Sequence, residues 1–190
     1  MEVLIQLGGL LLKRGATKEA LEICRRGIEQ HPSDARISAL LFNLGYIHMR
    51  NKQYTDARTA FEHVLRFEPS SAKAWNNIAN IQLALGETSA AQQALLSAIA
   101  ADPKIAEAHY NLGSLYLQSH QLDKARQAYQ AAIDVDSTLA RAYYALATIY
   151  QQQDANADAV QAYRAFIAKW QGDPDFLRQA RQQLTLLSNP

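Results

Sequence analysis

Residues 72–105, AKAWNNIANIQLALGETSAAQQALLSAIAADPKI, align without a gap on residues 106–139, AEAHYNLGSLYLQSHQLDKARQAYQAAIDVDSTL, at an offset of 34. Self-similarity at a fixed period of this length restricts a chain to stacked supersecondary units, none of which buries its apolar face alone. The register extends in both directions. Residues 140–173 open with ARAYYALATIYQQQ, and residues 38–71 read SALLFNLGYIHMRNKQYTDARTAFEHVLRFEPSS. A more degenerate copy occupies 1–34 and is followed by three extra residues, Ala35 to Ile37.

Each copy contains two amphipathic segments of a dozen or so residues, joined by a polar turn such as LGETS or SHQLD and closed by a breaker such as FEP or ADP. That pattern predicts a helical hairpin. Small residues recur at Gly45, Ala79, Gly113 and Ala147, and again at Ala57, Ala91, Ala125 and Ala159, where the two helices of a hairpin must come close. Phe61, Leu95, Tyr129 and Tyr163 recur to fill the space between hairpins. After the fifth copy, Phe176, Leu177, Ala180, Leu184 and Leu187 form an apolar stripe at helical spacing with Arg178, Gln179, Arg181, Gln182 and Gln183 opposite, as expected of a solvating end cap. The first segment has no such polar side.

These residues resemble the tetratricopeptide repeat family, whose pattern is W-x2-L-G-x2-Y, A-x3-F, an alanine three residues on and a closing proline. The second copy offers Leu41, Leu44, Gly45, His48, Ala57, Phe61, Val64 and Pro69; the third offers Trp75, Ile78, Ala79, Gln82, Ala91, Leu95, Ala98 and Pro103. The fourth offers His109, Leu112, Gly113, Tyr116, Ala125, Tyr129, Ala132 and Ser137, and the first Leu4, Leu7, Gly8, Leu11, Ala20, Cys24, Gly27 and Pro32. The fifth departs at its end, with Phe166 in place of the small residue and Gln171 in place of the proline. The resemblance implies an all-α, right-handed superhelix of five hairpins at 1–34, 38–71, 72–105, 106–139 and 140–173, with a capping helix at 174–188, in one domain over 1–190.

It also implies a concave groove lined by the first helix of each hairpin. The exposed groove positions carried onto this sequence include Phe42, Asn43, Tyr46 and Arg50 in the second copy, and Lys73, Asn76, Asn77 and Asn80 in the third. The fourth contributes Tyr110, Asn111 and Ser114, and the fifth Arg141, Tyr144 and Thr148. Asn43, Asn77 and Asn111 stand 34 apart, which predicts a ladder of carboxamides that either holds a peptide backbone or ties neighbouring repeats together. Asn76 and Asn80 share one helix face at i and i+4 and are the expected ligand-facing amides. The carboxylate clamp of some family members would draw on Asn80, Asn111 and, loosely, Arg141, but the chain lacks a lysine and an arginine that a clamp requires.

The expected function is a non-catalytic interaction module that receives a peptide or helix of a protein partner. Self-association through the uncapped first helix, service as the repeat arm of a larger enzyme or envelope protein, and glycan or other small-ligand binding in the groove remain open. Lys and Arg number 19 against 18 acidic residues with no long single-sign run, so nucleic acid is not an expected partner. No cofactor or metal is expected, since the five histidines and Cys24 show no metal-ligand spacing. His48 and His109 occupy aromatic consensus places and Cys24 that of Phe61, which predicts core packing. No phosphate loop, nucleophile elbow or dinucleotide fingerprint occurs, so no catalytic residue is expected. The opening MEVLIQLGGLLLKRG carries an early acid and no A-x-A site, and no apolar run reaches membrane length. A soluble chain without membrane insertion is expected, cytoplasmic or periplasmic.

Overall fold

The computed structural model describes residues 1–188. Among them are eleven helices and no strand: α1 (Glu2–Lys13), α2 (Thr17–Gln30), α3 (Ile37–Arg50), α4 (Tyr54–Phe67), α5 (Ala72–Ala84), α6 (Thr88–Ala101), α7 (Ala106–Gln118), α8 (Leu122–Val135), α9 (Ala140–Gln152), α10 (Asn156–Lys169) and α11 (Pro174–Ser188). Contacts gather them into two compact units, residues 1–103 and the residues from Lys104 onward. In the first, α1/α2, α3/α4 and α5/α6 form hairpins, with α2 packed on α3 and α4 on α5. In the second, α7/α8 and α9/α10 form hairpins, α8 packs on α9, and α11 packs on α10. No helix among the described residues is long and apolar enough to cross a membrane.

The turns inside the hairpins share one device. Gly15, Lys52, Gly86, His120 and Asp154 all have φ between 56° and 77°. At each, this residue's N–H donates to the carbonyl three residues back and the next N–H to the carbonyl five back, as Gly86 does to Leu83 and Glu87 to Gln82. This double bond satisfies the last carbonyls of the helix and reverses the chain, and it requires a left-handed residue. Only two of the five are glycine; the others hold a Cβ where it is disfavoured. Lys52→Gly, His120→Gly and Asp154→Gly should each raise stability by about 0.5 kcal/mol, the relief of the left-handed strain less the extra freedom glycine gives the unfolded chain. Urea unfolding curves check the sign; a loss at all three positions would refute this account of the turn.

Packing explains the small residues. A Cβ placed on Gly45 would lie 2.9 Å from the buried Phe61 ring, and one on Gly113 would lie 2.9 Å from the buried Tyr129 ring. Phe61 and Tyr129 therefore fill the space inside their own hairpins, where the sequence placed them between hairpins. Between hairpins, the aromatic at the tryptophan position ties the closing loop of the preceding unit. Trp75 Nε1 donates to the Pro69 carbonyl at 3.0 Å and the Tyr143 hydroxyl to the Ser137 carbonyl at 3.3 Å.

The fifth hairpin closes on aromatic rings in place of the small residue and proline of its pattern. Phe166 is fully buried, with its centroid 5.1 Å from Tyr144, 5.2 Å from Trp170 and 6.3 Å from Phe176. On α11, Ala180 is buried and Leu177, Leu184 and Leu187 are half-buried, as the stripe predicts. Phe176 departs from it: 41 % of it is exposed, although its ring packs on Tyr144 at 5.0 Å.

Candidate functional site

In the first unit the groove residues come from α3 and α5. Tyr46, Arg50 and Lys73 are exposed, while Phe42, Asn43, Asn77 and Asn80 are half-buried. Phe42 stands edge-on to Phe61 at 5.3 Å, which fixes its ring and leaves its outer edge open. Together with Ile5 and Gly9 of α1, Phe42, Asn43 and Lys73 line a cavity of about 380 Å³. A Cβ built on Gly9 would meet nothing within 4 Å, so the missing side chain leaves this part of the cavity open. Ile5 and Gly9 stand at the repeat positions of Phe42 and Tyr46, so the period carries a signal for them, although the groove expected from the sequence began at the second copy.

Asn76 corrects an expectation. It is 9 % exposed and so does not stand open in a groove. Its register mates explain why. Phe42, Tyr110 and Tyr144 occupy the same repeat position and rest on Phe61, Tyr129 and Tyr163 of their own second helices, at 5.3, 5.4 and 5.6 Å. A long aromatic at this position reaches past the hairpin interface to the surface, whereas a short amide ends inside it. Asn77 explains how asparagine is tolerated in mid-helix: its Nδ2 donates to the Lys73 carbonyl one turn back at 2.9 Å. One N–H of the amide is thus spent on its own helix.

In the second unit Arg141 is exposed, and Tyr110, Asn111, Ser114, Tyr144 and Thr148 are half-buried. The Arg141 guanidinium lies over the Tyr110 ring, 5.1 Å from its centroid, which holds an otherwise mobile cation in place. Ser114 is structural. Its hydroxyl donates to the Tyr110 carbonyl at 3.2 Å and its oxygen accepts from the Tyr129 hydroxyl at 3.0 Å, while burial pushes the Tyr129 phenol above its ordinary range. Thr148 donates to the Ala145 carbonyl of its own helix at 2.8 Å. Tyr144 packs on Phe176 at 5.0 Å with the ring planes tilted by 55°, so the end helix contributes a ring beside this face, a contribution that the stripe pattern concealed.

Of the side chains expected in the core, His48 and Cys24 are packed there, while His109 is half-buried. His48 is buried, with Nδ1 2.9 Å from the Gln53 amide oxygen. Cys24 is fully buried, and burial pushes its thiol up to about 11. Among the described residues no group of three His, Cys, Asp or Glu side chains is arranged to hold a metal ion.

A family model described as Tetratricopeptide repeat matches residues 42–103, 76–139 and 110–174, three spans whose starts are 34 apart. Solved structures agree in fold. The crystal structure of MamA aligns at 25 % identity with a TM-score of 0.71, covering 85 % of this chain and 93 % of that one. Pseudomonas aeruginosa pilF aligns at 19 % identity with a TM-score of 0.82, covering 98 % and 87 %. YrrB, described as a TPR protein with an unusual peptide-binding site, aligns at 20 % identity with a TM-score of 0.66, covering 94 % and 90 %. The last two likenesses speak for the fold alone.

Proposed function

The chain belongs to the tetratricopeptide repeat family, and on that premise we propose that it is a non-catalytic module whose first helices hold a peptide segment or helix of a protein partner. Proteins of this family are in general interaction scaffolds, and the peptide-binding site described for YrrB is a precedent within the fold.

The observation that carries this reading is the cavity bounded by Ile5, Gly9, Phe42, Asn43 and Lys73. It combines a ring fixed edge-on by Phe61, an amide, an exposed ammonium and an opening left by a glycine. An apolar side chain of the peptide enters the opening and displaces poorly held water, while Asn43 bonds the adjacent backbone. In the second unit, the Tyr110–Arg141 pair and the tilted Tyr144–Phe176 pair offer aromatic contact area, held by neighbouring rings, of the kind that binds at low entropy cost.

Gly9→Leu tests it. Because the Gly9 position opens on empty space within a helix, leucine fills the opening without a clash and improves helix propensity by about 0.8 kcal/mol. Peptides selected from a random phage-displayed library should bind the variant at least about tenfold more weakly, the loss of roughly one buried aliphatic side chain. Its melting temperature should be unchanged or higher. Equal affinity at retained helicity would remove the cavity from the account.

A further inference from the structure

Helix α1 turns a row of aliphatic side chains outward: Val3 is 73 % exposed, Leu10 46 % and Leu7 37 %. In repeat register Val3 corresponds to Leu40, Ala74 and Ala142, and Leu10 to Ile47, Ile81 and Ile149; all six are fully buried. The helices that carry those six, α3, α5 and α9, are each covered by the second helix of the hairpin before, namely α2, α4 and α8. The contact at Leu40 is direct: a Cβ added to Gly27 of α2 would lie 2.3 Å from Leu40 Cδ1. Where the outer residue is the small Ala74, the buried Val64 stands in the place of Gly27. The crossing therefore conserves volume by pairing a large residue with a small one.

The stacking interface that runs from hairpin to hairpin thus continues onto α1, with a large residue at the crossing. Charge adds a second constraint. A helix seated there antiparallel, as a short connection makes α2 on α3, meets the exposed Lys13 and Arg14 with its N-terminal turns and the exposed Glu2 with its C-terminal turns. An acidic start and a basic end suit both those side chains and the helix's own dipole.

We propose that the Val3–Leu7–Leu10 face docks an amphipathic helix of a partner protein, acidic at its start and basic at its end, with glycine or alanine where it crosses Val3. The chain holds a sequence of this kind in α2, TKEALEICRRGIEQ, with Glu19 and Glu22 early, Arg25 and Arg26 late, and Gly27 at the crossing. A synthetic peptide of residues 17–30, fluorescein-labelled and stapled through the exposed positions 26 and 30 to fix its helix while keeping Glu19, Glu22, Arg25 and Gly27, is the probe.

Fluorescence anisotropy against the full chain should show saturable binding. Val3→Asp with Leu10→Asp in the chain should weaken it at least about tenfold, since both residues are exposed and their replacement leaves the fold intact by circular dichroism. Gly27→Leu in the peptide should weaken it as much, although leucine raises helicity. Absence of saturable binding, or equal binding to the double variant, overturns the proposal. So does light scattering that shows the chain alone as a dimer abolished by the double variant, which would assign the face to a second copy.

Discussion

Phe166→Ala should destabilise the chain by about 3–5 kcal/mol, the cost of deleting a buried aromatic ring whose site cannot collapse. The site cannot collapse because its walls are other rings. Tyr144, Trp170 and Phe176 flank Phe166 with centroids 5.1 to 6.3 Å from it, and Tyr144 and Trp170 are also held elsewhere, Tyr144 by Tyr163 at 5.6 Å. Trp170 Nε1 donates to the Asp173 carbonyl at 2.9 Å, and a Cβ on Gly172 would lie 2.5 Å from its ring, so the indole is pinned to the α10–α11 turn. Phe166 is also the means by which α10 holds α11, since the motif's small residue and proline are both missing from this hairpin. The variant should therefore lose α11 first. Hydrogen exchange should show faster opening of residues 174–188 before the rest of the second unit, and urea unfolding should show the loss in total stability. Phe176→Ala, whose ring is 41 % exposed, is the control and should cost less than half as much. A Phe166→Ala loss below about 1 kcal/mol would mean the cluster is a surface ornament and not the lock on the end helix.

Much of this was readable from the period alone. Ala72, Ala106 and Ala140, 34 apart in sequence, each open a first helix, and the breakers at Pro69 and Pro103 each follow a second helix by two residues. What the period could not transmit was side-chain reach. Asn76 and Phe42 share a repeat position and differ in exposure because one side chain ends inside the hairpin and the other passes through it. Nor did the polar turns announce that Lys52, His120 and Asp154 would adopt the left-handed conformation of Gly15 and Gly86. There the two turn hydrogen bonds fix the backbone, and the residue type follows only loosely. Ser114 looked like a ligand-facing hydroxyl because sequence register assigns a face but not a partner, and the partner, Tyr129, lies on the other helix of the same hairpin.

Gly113→Ala should cost about 1–2 kcal/mol, although alanine is the better helix former by nearly 1 kcal/mol. The added methyl would lie 2.9 Å from the Tyr129 ring, and that ring cannot yield. Its hydroxyl is bonded to Ser114, its ring meets Tyr110 at 5.4 Å, and it is buried in one core cluster with Ala125 and Ala132 of its own helix. The third hairpin shows the alternative solution. Ala79 stands at the place of Gly113 and Leu95 at that of Tyr129, both fully buried. The fifth hairpin pairs Ala147 with a tyrosine, but there the Tyr163 hydroxyl donates to Gln151, one turn further along α9 than the counterpart of Ser114, so a tyrosine tied elsewhere accompanies an alanine. The close approach in the fourth hairpin is thus a property of the Gly113–Tyr129 pair and not of either residue. A double-mutant cycle with Tyr129→Leu should then show coupling: Gly113→Ala, costly beside tyrosine, should become neutral or stabilising beside leucine, a coupling energy of about 1–3 kcal/mol. Additive losses in urea unfolding would show that the methyl is resisted by something other than the ring.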